Sequence, residues 1–393
     1  MKKLFALVMA LCMLLAVGAA TAEDTFVLPA YLQLSGSGAA YGTQSLNAIK
    51  IAAEYVNENG GFNGVPVVVQ EFDTQCSTEE AVKVVQRIIS LPDKVSAVIG
   101  SVNSSEVLAS GSYLNDAQIV LLGLGTSATW MQQGWEYVWR PACNVTLLAG
   151  AAADQAVQLG LTKVAVLYTP DDVGKSTANS FEAEAAQRNL NVVAAEEVAA
   201  DDTDFSAQIN NVLMGDPEAV FLSLAGDSFG VCIKQLRQNG FEGLIIMRDA
   251  ISTNQTDIAG MANCDYVSFI YPYITYDKIE DCTNPLMVDF LNRYVAMTGT
   301  LPASEVAYRG WDAVIALWEA TKIAGSNDAA AINAAMPQVK VEGLGGMMDF
   351  SVGGEGYANC TSAFIFRDGK SIAWADWCAS EDYTAFMSEV YGK

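Results

Sequence analysis

The chain has 393 residues, 51% hydrophobic and 17% charged, enough to bury cores in two or three domains and too apolar for a disordered segment. Its 45 Asp and Glu against 21 Lys and Arg give a formal charge of −24, which repels nucleic-acid phosphates and anionic lipid surfaces. Histidine is absent, which removes the usual general base, the Ser-His and Cys-His nucleophile systems and the commonest zinc ligand.

The first 22 residues read as an export signal. Lys2 and Lys3 precede an apolar run over 4–17 that is too short to span a bilayer, and Ala20-Thr21-Ala22 fits a cleavage site. Cys12 follows Leu11 without the small residue of a lipobox, so a lipid anchor is disfavoured and a periplasmic protein is expected. From there strands and helices alternate. A strand over 26–34 leads through a Gly/Ser turn to a helix over 45–57, then a strand over 65–72 and a helix over 78–89. A strand over 97–99, a helix over 104–114 and a strand over 119–122 complete the first set. A second set follows, with helices over 149–158, 175–188, 205–213 and 230–239 and strands over 163–168, 192–198, 219–224 and 244–247. Helices over 285–298 and 306–324 come next, and a hairpin over 362–375 turns at Asp368-Gly369. Runs of Val, Ile and Leu without strict alternation suit strands buried on both faces of a parallel sheet. The pattern predicts two doubly wound α/β halves in series.

Motif-like stretches carry little chemistry. The stretch from Gly36 to Gly42 has G-x-G-x-x-x-G spacing, one residue away from a dinucleotide fingerprint, and reads as a Gly-rich turn. Gly174-Lys175-Ser176 imitates the end of a phosphate-binding loop, but Thr169 stands where its first glycine belongs. The run from Asp201 to Asp204 lacks the glycine and distal glutamate of a calcium loop and reads as a solvated turn. Beyond the signal there are seven cysteines, an odd number that leaves one unpaired; Cys264 with Cys282 and Cys360 with Cys378 are the nearest pairs, and Cys232 is expected free. No C-x-x-C occurs, and no metal, cofactor or catalytic group is expected.

The blocks "LSGSGAAYG", "AEYVNENGGFNG", "AVIGSVNSSEVLA", "LGLGTSATW", "YVWRPACN", "VAVLYTPDDVGKS", "CIKQLRQNGFEG" and "YRGWDAVIALWEA" resemble, in this order, those of periplasmic branched-chain amino-acid-binding proteins. These are the type I solute-binding components of ABC importers. The resemblance implies two Rossmann-like lobes with parallel sheets, joined by a three-crossing hinge near Asn144, Tyr273 and Gly345. Lobe 1 would then comprise 23–144 and 274–345, and lobe 2 145–273 and 346–393.

It also implies a site. Ser104 matches the serine that takes the ligand carboxylate, and Thr126 the threonine that contacts both carboxylate and ammonium. The Leu124 carbonyl matches a further ammonium acceptor, Tyr41 the aromatic lining the side-chain pocket, and Asp249 the acid that pairs with the ammonium from the other lobe. Plainer roles stand beside these: Ser104 and Thr126 as cap or turn residues, Tyr41 as a cover over its turn, Asp249 neutralised by Arg248. Three departures leave the ligand side chain open. Val173 and Leu224 or Ala225 replace family tyrosines, and Asn103 replaces one half of the disulfide that Cys76 would complete, so that Cys76 is free or pairs elsewhere, for instance with Cys143. The expected partners are a small amino-acid-like ligand and an ABC permease, with no nucleic acid and a monomeric chain. A ligand-sensing module of an extracytoplasmic receptor is the alternative, and an exported carboxylate-based hydrolase a distant third.

Overall fold

The computed structural model describes residues 25–199, 202–271, 273, 276, 278–357 and 362–393; the signal expected over 1–22, Asp201 and Cys360 lie outside them. Two parallel-rich sheets carry the architecture. The first has the order β13-β5-β4-β3-β1-β2. Its strands are β1 (Phe26–Leu32), β2 (Val67–Asp73), β3 (Ala97–Gly100), β4 (Val120–Leu122), β5 (Val138–Cys143) and β13 (Glu355–Tyr357). All its pairings are parallel.

Successive residues of these strands enter two different cores, which is why the sequence shows apolar runs instead of alternation. Ala97, Ile99, Val120 and Leu122 join one cluster, while Val98 and Leu121 join the other with Tyr31 and Phe72. Helices cover both faces. On one, α1 (Ala39–Glu58) packs against α10 (Val306–Ala324), with the Ser45 hydroxyl donating to the Val306 carbonyl at 2.7 Å. On the other lie α2 (Thr78–Ile89) and α3 (Ser104–Asp116). The helix expected to begin at 45 begins at Ala39. Gly42 permits the earlier start, because a Cβ there would lie 2.0 Å from the Gln33 carbonyl oxygen.

The second sheet has the order β15-β14-β10-β9-β8-β6-β7. It comprises β6 (Lys163–Tyr168), β7 (Asn191–Glu197), β8 (Ala219–Ser223), β9 (Leu244–Met247), β10 (Val267–Tyr271), β14 (Ser362–Arg367) and β15 (Lys370–Ala373). Only the edge formed by β14 and β15 is antiparallel. Its hairpin turns at Asp368 and Gly369, both with positive φ (51° and 75°), as a two-residue turn requires. Between β11 (Lys340–Gly343) and β12 (Gly346–Asp349) a small ribbon forms.

The chain passes between the sheets three times: at Asn144, through Tyr273, and between Tyr357 and Ser362. The third passage lies later than the expected Gly345. Residues 346–357 belong with the first lobe because β13 pairs with β5 there. Buried side chains tie these passages together. Asp312 of α10 accepts from the Leu344 amide (2.7 Å) and from the hydroxyls of Tyr357 (2.6 Å) and Tyr273 (3.2 Å). Glu355 accepts from Arg140 and from Asn144, joining the first passage to the strand that leads into the third.

The expected Cys264–Cys282 bridge does not form. The Cys264 thiol donates to the Gly260 carbonyl and the Cys282 thiol to that of Asn284, each within its own local turn. Cys378 is also unbridged, and its expected partner Cys360 lies outside the described residues. Cys76 is a free thiol that accepts from the Ser37 hydroxyl at 3.6 Å, so it makes no bridge to Cys143; Cys232 is free and buried.

Candidate ligand-binding site

In each sheet the winding direction reverses, around β1 in the first and β6 in the second, and open parallel sheets take ligands at the carboxyl ends of strands beside such a reversal. The five expected site residues all stand at carboxyl ends. Tyr41 lies in the first turn of α1 after β1, Ser104 opens α3 after β3, Leu124 and Thr126 lie in the loop after β4, and Asp249 follows β9 by two residues. The two sets of loops meet, with the Ala128 amide of the first lobe donating to the Ser176 hydroxyl of the second at 3.3 Å.

On the first wall Ser104 is buried, and its hydroxyl oxygen accepts from the Ser127 amide at 3.1 Å, which leaves its proton to donate elsewhere. It does not cap α3. That role belongs to Asn103, whose side chain accepts from the Ser105 amide at 2.9 Å. Gly125 lets the loop close over Ser104, since a Cβ there would lie 2.5 Å from the serine oxygen. Thr126 is held through its carbonyl, which accepts from the Val145 amide (3.0 Å) and from Arg140 (3.2 Å), itself stacked on Trp130.

The Leu124 carbonyl, the expected ammonium acceptor, already has one donor within the protein and keeps a second lone pair. It accepts from the Arg309 guanidinium at 3.1 Å, and Arg309 is clamped by Glu305, the residue just before α10. A buried guanidinium needs every acceptor within reach, and this carbonyl is one of them.

Across the cleft, Arg248 and Asp249 sit side by side at 3.4 Å, so the neutralising contact weighed from the sequence is present but long. Arg248 is buried and donates through Nε (3.1 Å) and Nη2 to the Leu224 carbonyl; Leu224, standing where a pocket tyrosine was sought, is fully buried. Asp249 and Arg248 both act electrostatically on Tyr41 and Glu305. The Tyr41 hydroxyl is pushed up first by burial and then by Asp249, and the Glu305 carboxyl is pushed up by burial against the opposing pull of Arg309.

Reading the sequence missed Arg309, Glu305 and Glu106. Glu106, in the first turn of α3, is fully buried, with neither carboxylate oxygen hydrogen-bonded among the described residues. Burial is the largest influence on its pKa and raises it. The triplet Ser104-Ser105-Glu106 signals a helix start, but nothing in it signals that the glutamate turns inward.

Among known proteins the chain is 26% identical over 223 residues to an amino acid binding protein of Pseudomonas aeruginosa, and 25% identical over 232 residues to a leucine-specific-binding protein of Salmonella typhimurium. These matches cover 56% and 58% of this chain, and the chain spans only 59% and 62% of the length of those two curated relatives. Among solved structures, a leucine binding protein from Thermotoga maritima aligns with a TM-score of 0.75 at 23% identity, over 89% of this chain and 97% of that one. A solute binding protein from R. palustris in complex with benzoate aligns equally well, with a TM-score of 0.75 at 19% identity over 89% and 96%. At these identities the structural likeness establishes the fold. The family model described as periplasmic binding protein matches residues 27–365, and with the two lobes and their facing loops on the same span, the chain belongs to the periplasmic binding protein family.

Proposed function

We propose that this protein is an exported solute-binding protein that holds an α-amino acid between its lobes and presents it to the permease of an ABC importer. The reading is supported above all by one juxtaposition. Ser104 and the amide end of α3 follow β3 of the first sheet, and the half-buried carboxylate of Asp249 follows β9 of the second. A zwitterion needs donors for its carboxylate and an anion for its ammonium, and placing them on opposite lobes makes binding favour closure. The relatives named for leucine or amino acids point the same way. The branched-chain side chain has less support: Val173 and Leu224 offer no aromatic wall, and charged groups face Tyr41 instead.

Calorimetry with a panel of amino acids and their deaminated acids tests this. The expected result is binding of at least one amino acid, weakened about 10- to 100-fold when its ammonium is removed or when Asp249 becomes Asn. Equal affinity for an amino acid and its deaminated acid overturns the zwitterion.

A further inference from the structure

Arg248 is more buried than an arginine beside a cleft need be, and the structure does not use all of its donors. Its residue exposure is 9%. Nε and Nη2 are spent on the Leu224 carbonyl, and Nη2 reaches Asp249 only at 3.4 Å. Nη1 has no hydrogen-bond partner among the described residues and is not sealed from solvent, so its two N–H groups are free to donate. The groups that feel its charge across that cleft are Tyr41 and Glu305.

Charge accounting follows from these contacts. Glu305 is closed by two bonds to Arg309, so that pair is self-contained. In the amino-acid reading the ligand ammonium takes Asp249, and the α-carboxylate takes Ser104 and the amide end of α3. Arg248 must then share Asp249, its one carboxylate contact among the described residues, with the ammonium, and the two Nη1 N–H groups of a buried guanidinium have no anion of their own. A neutral ligand side chain cannot supply one. A carboxylate can, and the planar fork of arginine matches it in two parallel bonds.

We propose that Arg248 selects a second carboxylate on the ligand, making the preferred solute an α-amino dicarboxylic acid of the aspartate or glutamate class. This rests on the amino-acid reading of the cleft and adds the side chain to it. Arg248 is fixed by the Leu224 carbonyl before the ligand arrives, so little ordering is needed on binding. In place of its long contact with Asp249, each of the two residues gains a ligand group of its own.

The test compares isosteres by calorimetry on the full mature protein: glutamate against glutamine, aspartate against asparagine, with leucine and lysine as further ligands. The acids are expected to bind about 10- to 100-fold more tightly than the amides, the range of a charge-assisted pair of hydrogen bonds. Arg248→Gln is expected to remove that preference, so that acids and amides bind within about threefold of each other. Arg248→Lys, which keeps the charge and loses the fork, is expected to retain part of it. Amides, leucine or lysine binding as tightly as glutamate to the wild type overturns the proposal without recourse to any variant. So does a preference that survives in Arg248→Gln. Tight leucine binding with weak glutamate binding defeats the dicarboxylate alone, whereas no heat with any amino acid defeats the amino-acid reading as well.

Discussion

Asp312 offers the sharpest perturbation in the molecule, because one carboxyl holds two of the three passages between lobes. It is fully buried, and burial is the largest influence on its pKa, which rises from 3.8 to about 7 despite the donors around it: the Tyr357 and Tyr273 hydroxyls and the amides of Leu344 and Gly345. In the unfolded chain the same group titrates near 3.9. Between those two values the folded protein holds a proton that the unfolded chain has released, so stability falls as pH rises through the window and the loss is complete above about 7. The full difference amounts to about 4 kcal/mol, of which about 3 kcal/mol falls between about pH 5 and about pH 8. Asparagine has the same shape and cannot ionise. Its oxygen can still accept from the Leu344 amide, and the tyrosine hydroxyls can rotate to accept from its nitrogen. Urea unfolding of ligand-free wild type and Asp312→Asn across that range is therefore expected to show a slope for Asp312 that the variant lacks. Glu106 and Glu305 are also raised and contribute in the same direction, but they are present in both proteins and cancel in the difference. Parallel curves for the two proteins would refute the assignment.

Other perturbations follow from the same contacts. Glu355→Ala leaves Arg140 fully buried without its carboxylate and is expected to destabilise the protein by about 3–5 kcal/mol in urea unfolding, whereas a loss under about 1 kcal/mol would show that the Thr126 and Ser127 carbonyls suffice. Glu106→Gln removes a buried acid whose pKa is raised, so its stability relative to wild type is expected to improve as pH rises above the ordinary glutamate range, again by urea unfolding. Thiol labelling of the native protein is expected to reach Cys76, which is partly exposed, well before Cys232 and Cys264; both of those are buried, with thiols pushed up by burial, Cys264 to about 11. Labelling at equal rates would show that the second lobe opens locally. Ser104→Ala removes the donor to the ligand carboxylate and frees the Ser127 amide, so affinity for the best ligand is expected to fall about tenfold or more by calorimetry, with the melting temperature of the free protein shifted only a few degrees.

The two-lobe fold is legible in the sequence because buried parallel strands are written as unbroken apolar runs. Those over 97–99, 163–168 and 244–247 fall within a residue of β3, β6 and β9. β5 and β10 are harder to read. Trp139, Arg140 and Pro141 interrupt the first, and Ser268 places a hydroxyl inside the second, where it donates to Gln155 at 3.0 Å. The position of the third passage is hidden because β13 is three residues long and has no apolar run of its own; only its pairing with β5 assigns it to a lobe.

The site divides along the same line. Residues whose role depends on where the backbone ends a strand, such as Tyr41, Ser104, Thr126 and Asp249, can be placed from block order alone, since the carboxyl end of a parallel strand is a fixed address. Residues whose role depends on what fills the remaining space cannot. Leu124 has the backbone position of an ammonium acceptor, yet Arg309, 185 residues further along, donates to that carbonyl. Arg248 looks from the sequence like a neutraliser of its neighbour, and only the Leu224 carbonyl, which takes two of its donors, turns it aside and leaves Nη1 for something else. The address of a cleft is local, while its charge balance is set by long-range partners such as Arg309 on the Leu124 carbonyl, so two chains with the same strand ends can hold different solutes.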